Sequence, residues 1–191
     1  MDPFLTSTDV IDWHHPAVAA AARSLAAPGA DPLLTARRCF EWVRDEIKHT
    51  HDHGLSVVTC TASDVLREGS GYCYAKSHLL AALLRANGIP AGLAYQRLCV
   101  EESGPPYCLH GFNAVRLPGV GWYRMDARGN RPGIDAQFTP PIEHLAFAAR
   151  LPGERDLPEI LSDPLPVVVA ALRRHAIAAS LHACLPDAPE M

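Results

Sequence analysis

One segment of the chain, Cys73 to Asn87, has the strongest helical pattern and constrains the fold most. Alanine and leucine recur at helical spacing along one face, and further leucines widen that face. A helix with so wide an apolar face must be largely buried. Gly88 and Pro90 end it, because glycine suits the C-terminal turn and proline cannot continue a helix. We therefore expect the fold to form around this helix.

The segments on either side of this helix predict an α+β domain. Helices are predicted, in order, over Pro16 to Ala27, Pro32 to Lys48, Ala62 to Glu68, Ile142 to Ala149 and Pro166 to Cys184. Strands are predicted over Ala91 to Val100, Tyr107 to Leu117 and Trp122 to Ala127, with a hairpin turn at Pro118 to Gly121. Helices followed by a hairpin sheet favour α+β over alternating βαβ units.

Composition places the chain among ordinary globular domains. Its 191 residues are 48% hydrophobic and 20% charged, which predicts one domain, residues 1–191, with a real core. The net charge of −4 and the pI near 6.2 argue against nucleic-acid and membrane-surface partners. No apolar run approaches the roughly 20 residues of a membrane span. The first residues lack the basic and apolar pattern of a signal peptide, so we expect a cytoplasmic protein.

The six cysteines are scattered, without a C-x-x-C pair. Reduced thiols are favoured over a disulfide framework, and neither a structural zinc site nor a cofactor is predicted. The alternating histidines His49, His51 and His53 would share one side of a strand and could bind a metal there. Their polar surroundings favour a solvated loop. The question is whether one thiol differs from the rest.

Cys73 is that candidate. It begins the buried helix, where free backbone N–H groups and the positive end of the helix dipole stabilise a thiolate. Lys76, one turn on, could add positive charge. A buried cysteine without a chemical role fits the position equally well.

A nucleophilic cysteine needs a base, and the hairpin offers one. His78 is a poor candidate, because five residues along a helix turn it about 140° away from Cys73. On the hairpin, a turn centred near Pro118 or Gly119 pairs residues whose numbers sum to 236 or 238. In either register His110 and Asp126 share one side of the sheet, roughly 5 Å apart if opposite and 7–8 Å if diagonal. A sum of 237 would place them on opposite faces.

Three motifs in these segments resemble the transglutaminase-like superfamily. Gly71 to Ala91 is similar to the nucleophile helix of that superfamily, and His110 to Val115 and Gly121 to Asp126 are similar to its histidine and aspartate strands. The order of the three residue types and their spacing match. The resemblance covers about residues 35 to 130, half of the chain.

The resemblance implies a papain-like core in which the nucleophile helix packs against an antiparallel sheet. It assigns Cys73 as the nucleophile, His110 as the base and Asp126 as the residue that orients the base. The helical signals over about residues 142 to 184 would then form an extension outside the shared core.

The superfamily includes cross-linking enzymes, hydrolases of peptides and amides, deglycosylating enzymes and inactive binding modules. The chain has neither the length of the multidomain calcium-dependent transglutaminases nor a D-x-D-x-D-G calcium loop. A bacterial-type thiol hydrolase or acyltransferase is therefore expected, acting on a peptide, a protein or a small amide. The alternative is a binding module that has lost turnover.

Three further residues are candidates for the substrate site. Gln96 could donate an amide N–H to an oxyanion, although the backbone N–H of Cys73 is the better donor. Arg128 could bind a substrate carboxylate through two nitrogens, or it could pair with a nearby acid of the protein. Trp122 could form a wall of the cleft, although an aromatic residue on a hairpin is more often part of the core.

Overall fold

The computed structural model describes residues 2–101 and 104–189. The helices in these ranges are α1 Pro16–Leu25, α2 Pro32–Glu46, α3 Ala62–Glu68, α4 Cys73–Ala86, α5 Pro166–Arg174 and α6 Ala178–His182. The strands are β1 Lys48–His49, β2 Ser70–Gly71, β3 Ala91–Glu101, β4 Gly104–Leu117, β5 Gly121–Met125 and β6 Arg155–Asp156. This arrangement confirms the predicted α+β class.

The helices before α4 begin at recognisable caps. Asp31 precedes α2, and its carboxylate accepts hydrogen bonds from the N–H groups of Leu33 and Leu34 at 2.9 and 3.2 Å. Thr61 and Asp64 form a reciprocal capping box at the start of α3. Both helices therefore start where the sequence predicts.

Helix α4 is the centre of the molecule. Every residue from Cys73 to Arg85 is buried, and α1, α2 and α3 pack around it. Its chain turns at Gly88, which has a φ of +72°, a conformation that L side chains rarely adopt. The predicted burial of this helix is confirmed.

The main sheet packs against one side of α4. It has the order β5-β4-β3-β6, and all of its pairings are antiparallel. Close packing requires Gly111, because a Cβ there would lie 3.3 Å from the Tyr74 Cα and 3.0 Å from its ring. Strands β1 and β2 form a separate parallel pair that places His49 beside Gly71. That pair leads directly into the first turn of α4.

The register of the hairpin agrees with one of the two predicted alternatives. Asn113 pairs with Met125 and Leu117 with Gly121, so the paired residue numbers sum to 238. In that register His110 and Asp126 are diagonal neighbours on one side of the sheet. The turn at Pro118 to Val120 therefore sets the relative position of these two side chains.

The C-terminal third differs from the prediction in two places. Residues 142–149 were expected to be helical but form turns and irregular chain, because their backbone groups bind side chains of the sheet. The helix expected over Pro166 to Cys184 is broken between α5 and α6, where Ile177 forms a bridge with Val57 and Ala178 N–H donates to Ser56 O. Val168, Leu172 and Leu181 of these helices are buried.

None of the helices within residues 2–101 and 104–189 combines the length and the apolar character that a bilayer crossing requires.

Candidate active site

Cys73 occupies the first position of α4 and is 8% exposed. The preceding Tyr72 directs its hydroxyl to the carbonyl of Ala178 at 3.0 Å, so its side chain does not cover the first N–H groups of the helix. The chain that leads into α4 needs glycine at position 71, because a Cβ there would lie 2.9 Å from Thr59 Oγ1. The thiol is thus held where the helix dipole favours a negative charge.

His110 lies beside the thiol on β4. Its Nε2–H donates to Asp126 Oδ2 at 2.7 Å, and its ring and the Cys73 thiol shift each other's pKa through charge and hydrogen bonding. Because Nε2 is taken by the carboxylate, Nδ1 is the nitrogen left for the thiol. The two ring nitrogens therefore face different partners, which fixes the orientation of the imidazole.

Asp126 is fully buried just after β5. Besides His110, it accepts hydrogen bonds from two backbone groups, Arg128 N–H and Ala146 N–H, each at 3.1 Å. Burial raises the pKa of this carboxyl, but the charge of His110 and the three hydrogen bonds outweigh it and hold the pKa below its usual range. Asp126 therefore stays ionised and favours the imidazolium form of His110.

Opposing effects set the charge state of the thiol and its imidazole. Burial raises the pKa of Cys73, but the charge and hydrogen bonding of His110, followed by those of His49, lower it to about 6. Burial lowers the pKa of His110, but Asp126 and the thiolate raise it to about 10. At neutral pH the pair is thus a thiolate and an imidazolium, the reactive form of a cysteine nucleophile.

The remaining thiols differ from Cys73. Burial raises the pKa of Cys39 and of Cys108 to about 12, and it also raises those of Cys60 and Cys99. All six cysteines are unpaired. Of these five cysteines, only Cys73 has a lowered pKa.

His49 was not identified as a site residue from the sequence pattern. It is 7% exposed on β1, where it pairs with Gly71, and its imidazole also lowers the pKa of the Cys73 thiol. Its neighbour His51 instead stacks on His182 with ring centroids 4.0 Å apart, and His53 is exposed. The three histidines thus do not converge. Within the described parts of the chain, no cluster of three or more His, Cys, Asp or Glu residues could hold a metal ion.

Arg128 pairs with an acid of the protein, one of the two roles predicted for it. Its Nη1 and Nη2 donate to the two oxygens of Asp52 at 2.5 and 3.0 Å. Asp52 lies three residues after His49, and its Oδ1 is 3.5 Å from His49 Nδ1. The guanidinium is thereby occupied within the site.

Gln96 lies opposite His110 in the β3–β4 register. Both N–H groups of its amide are engaged, one by Phe147 O at 3.2 Å and the other by Asp156 Oδ1 at 2.8 Å. In this arrangement Gln96 cannot serve as the suggested oxyanion donor. It instead fixes the segment around Phe147, whose ring meets His110 edge-on with centroids 4.9 Å apart.

Trp122 lies away from the site, at the turn end of β5. It packs edge-on against Phe4, with ring centroids 4.8 Å apart, and pairs with Arg116 across the hairpin. Asp126 lies four positions further along the chain, which is roughly 13 Å in an extended strand. The structure therefore does not bring Trp122 together with Cys73, His110 and Asp126.

Two other charged or titratable groups of α4 are also turned away from the thiol. His78 Nδ1 is 2.8 Å from Cys60 O, in agreement with its predicted direction. The ammonium of Lys76 donates to the carbonyls of Ile47 and Arg44, at the end of α2. Burial lowers the pKa of Lys76 to about 7. Lys76 therefore stabilises the helix packing and does not contact the thiol.

Comparison with known proteins identifies the family and the fold of the chain. The family model described as the transglutaminase-like superfamily matches residues 19–127, from α1 to just beyond Asp126. Among solved structures, the chain is similar to a candidate cysteine protease from Cytophaga hutchinsonii, with a TM-score of 0.53 and 20% sequence identity. The match covers 66% of this chain and 41% of that one, so this chain spans less than half the length of its neighbour. No curated protein sequence matches significantly.

Proposed function

The chain belongs to the transglutaminase-like superfamily, and on that premise we propose that it is a thiol hydrolase of amide or peptide bonds. Cys73 is the nucleophile, His110 moves the proton and Asp126 orients the imidazole. The observation that carries the proposal is the buried His110–Asp126 pair, 2.7 Å from Nε2 to Oδ2, which lies beside a thiol whose pKa His110 lowers. This arrangement has the order of groups that nucleophilic thiol catalysis needs.

The reaction follows from the charges in the site. The Cys73 thiolate attacks the carbonyl carbon of the substrate, and the C=O electron pair moves to the oxygen. The backbone N–H of Cys73, at the start of α4, donates a hydrogen bond to this oxyanion. As the C–N bond breaks, the departing amine takes a proton from His110 Nδ1.

The second half of the reaction regenerates the enzyme. Water attacks the acyl-thioester carbon and gives a proton to His110, while Asp126 stabilises the imidazolium that forms. The thiolate leaves and the acid is released. If an amine took the place of water, the same groups would perform transamidation, so the acceptor and not the triad decides between the two reactions.

The test is a panel of amide and ester substrates with purified protein. Hydrolysis should be measurable with at least one substrate and should be lost in Cys73→Ala. The matched control is Cys184→Ala, which removes an exposed thiol and should leave the rate unchanged. Activity that survives in Cys73→Ala would reject the proposal. If no substrate were turned over and the Cys73 thiol titrated like a free cysteine, the chain would be a binding module.

A further inference from the structure

A second imidazole near the thiol comes from outside the main sheet. His110 comes from β4, whereas His49 comes from β1, the short strand paired with the residues that enter α4. Thr50 N–H donates to Gly71 O at 3.0 Å, which ties the chain after His49 to the chain before Cys73. The position of His49 is therefore fixed relative to the first turn of the nucleophile helix.

The orientation of the His49 ring is also fixed. Its Nδ1 is buried 3.5 Å from Asp52 Oδ1 and has no hydrogen-bond partner of regular geometry among the described residues. Its face meets the Tyr72 ring edge-on, with centroids 5.6 Å apart. With Nδ1 directed at the carboxylate, Nε2 is the nitrogen that faces the sulfur.

Asp52 is itself held on its other side. Arg128 binds both carboxylate oxygens, and Arg131 Nε lies 3.4 Å from Oδ2. These contacts keep Asp52 ionised and in place. His49 thus lies between the Asp52 carboxylate and the Cys73 thiol.

We propose that His49 is a second catalytic imidazole, which donates its Nε2–H first to the Cys73 thiolate and then to the oxyanion of the acyl intermediate. This inference rests on the proposed hydrolase function and adds a side-chain donor to the backbone N–H of Cys73. No proton leaves His49 during the reaction. The thiolate attacks, the C–S bond forms and the carbonyl electron pair moves to the oxygen that His49 binds. When that pair returns, the C–N bond breaks and His110 protonates the amine.

The two imidazoles differ in what lies behind them, and this difference assigns their roles. Asp126 binds His110 Nε2 at 2.7 Å, whereas Asp52 is 3.5 Å from His49 and shares its charge with Arg128. A strongly held imidazole suits proton transfer, while an oxyanion donor has only to stay in place.

The other titratable groups near the thiol are neutral. The pKa values of Tyr72, Tyr74, Tyr95 and Cys108 are raised, so all four remain neutral at pH 7. The groups that lower the pKa of Cys73 are the two imidazoles, His110 first and His49 second. Removal of His49 should therefore change the thiol as well as the oxyanion.

The experiment compares His49→Leu, His49→Gln and the control His51→Gln. The rate of acylation by an activated amide or ester, followed by thiol release, should fall roughly 10²–10³-fold in His49→Leu, the usual effect of losing one oxyanion donor. His49→Gln keeps an N–H donor at similar length and should recover at least tenfold of that loss. His51→Gln, in the same segment but stacked on His182, should match the wild type.

A second measurement does not depend on any substrate. Alkylation by iodoacetamide across pH reports the Cys73 thiol, and its midpoint should rise in both His49 variants because a group that lowers the pKa of Cys73 is lost. If His49→Leu did not fold, as judged by circular dichroism, the midpoint of His49→Gln would carry the test. An unchanged midpoint in a folded variant, with acylation within twofold of wild type, would overturn the inference. Activity that persists in Cys73→Ala would instead reject the proposed hydrolase.

Discussion

Arg128 holds Asp52 through both terminal nitrogens of its guanidinium, at 2.5 and 3.0 Å, while its own backbone N–H donates to Asp126. One residue thereby fixes the carboxylate behind His49 and the carboxylate behind His110. The side chain of Arg128 binds Asp52, whereas its backbone binds Asp126. A substitution at this position can therefore weaken the contact with Asp52 and leave the contact with Asp126 intact.

Substitution Arg128→Lys should separate these two contacts. Lysine keeps the positive charge and the backbone N–H but cannot bind both oxygens of Asp52 at once. We expect about a tenfold loss in kcat/KM, because His49 loses its fixed neighbour, with the thermal unfolding midpoint within a few degrees of wild type. Arg131→Lys, a change at the exposed end of the same cluster, is the control and should have little effect. Equal losses in both variants would contradict the special role of Arg128.

The pH dependence of thiol reactivity follows from the two shifted groups. The pKa of Cys73 is lowered to about 6, so the thiolate fraction rises with pH through that value. The pKa of His110 is raised to about 10, so the imidazolium that protonates the amine is lost above it. Hydrolysis should therefore have a plateau between about pH 6 and 10, measurable as kcat/KM in buffers of constant ionic strength. A single rise near pH 9 would show that the pair does not exist.

Substitutions of His110 and Asp126 should lower kcat by different factors. His110→Ala removes both the cation beside the thiolate and the proton donor, so we expect a loss of about 10⁴-fold in kcat. Asp126→Asn keeps the hydrogen-bonding shape but removes the charge that raises the pKa of His110, and should cost about 10²-fold. Thiol alkylation at pH 7 should follow the same order. An Asp126→Asn variant as inactive as His110→Ala would mean that the carboxylate does more than orient the ring.

Substitution Gly111→Ala tests whether the sheet must approach α4 this closely. The added methyl would lie 3.0 Å from the Tyr74 ring and 3.3 Å from the Tyr74 Cα, and Tyr74 follows Cys73 directly. We expect destabilisation by about 1–3 kcal/mol, the usual cost of overpacking, measured by urea unfolding. The altered distance between thiol and imidazole should also lower kcat. Ala114→Gly, on the same strand, removes a fully buried methyl group and should also lose stability. Because it adds no atom against Tyr74, it should keep kcat and so serves as the control for activity.

The strands that carry His110 and lead to Asp126 could be predicted because their turn residues and side-chain alternation are visible in the local sequence. Turn residues at Pro118 to Gly121 fix the hairpin register, and the alternation of side chains then decides which residues share a face. Likewise, the wide apolar face of α4 requires burial, which places Cys73 at the start of a covered helix. Neither inference needs information about distant parts of the chain.

The position of His49 could not be predicted in this way. Its segment is short and polar, and a two-residue strand has too few positions to show alternation. The contact with Cys73 depends on pairing across 21 intervening residues, between His49 and Gly71. The sequence signal that could have identified it is the spacing of His49 and Asp52, which becomes meaningful only when Arg128 is brought to them.

The expected helix over residues 142–149 failed for a related reason. A helix would have used its own backbone groups, but Ala146 N–H and Phe147 O are required by Asp126 and Gln96. Two consecutive prolines, Pro140 and Pro141, also remove donors just before this segment. The helical propensity of residues 142–149 is therefore outweighed by hydrogen bonds to Asp126 and Gln96, which form only in the folded protein.

The segment around Phe147 has a consequence for how such proteins diverge. It lies beyond residue 127, where the family match ends, yet it covers His110 with an aromatic ring and supplies a backbone donor to Asp126. Two enzymes could therefore share the same three catalytic residues and still admit different molecules if the segments that border those residues differ. Exchanging residues 144–156 between relatives would transplant selectivity without altering the chemistry.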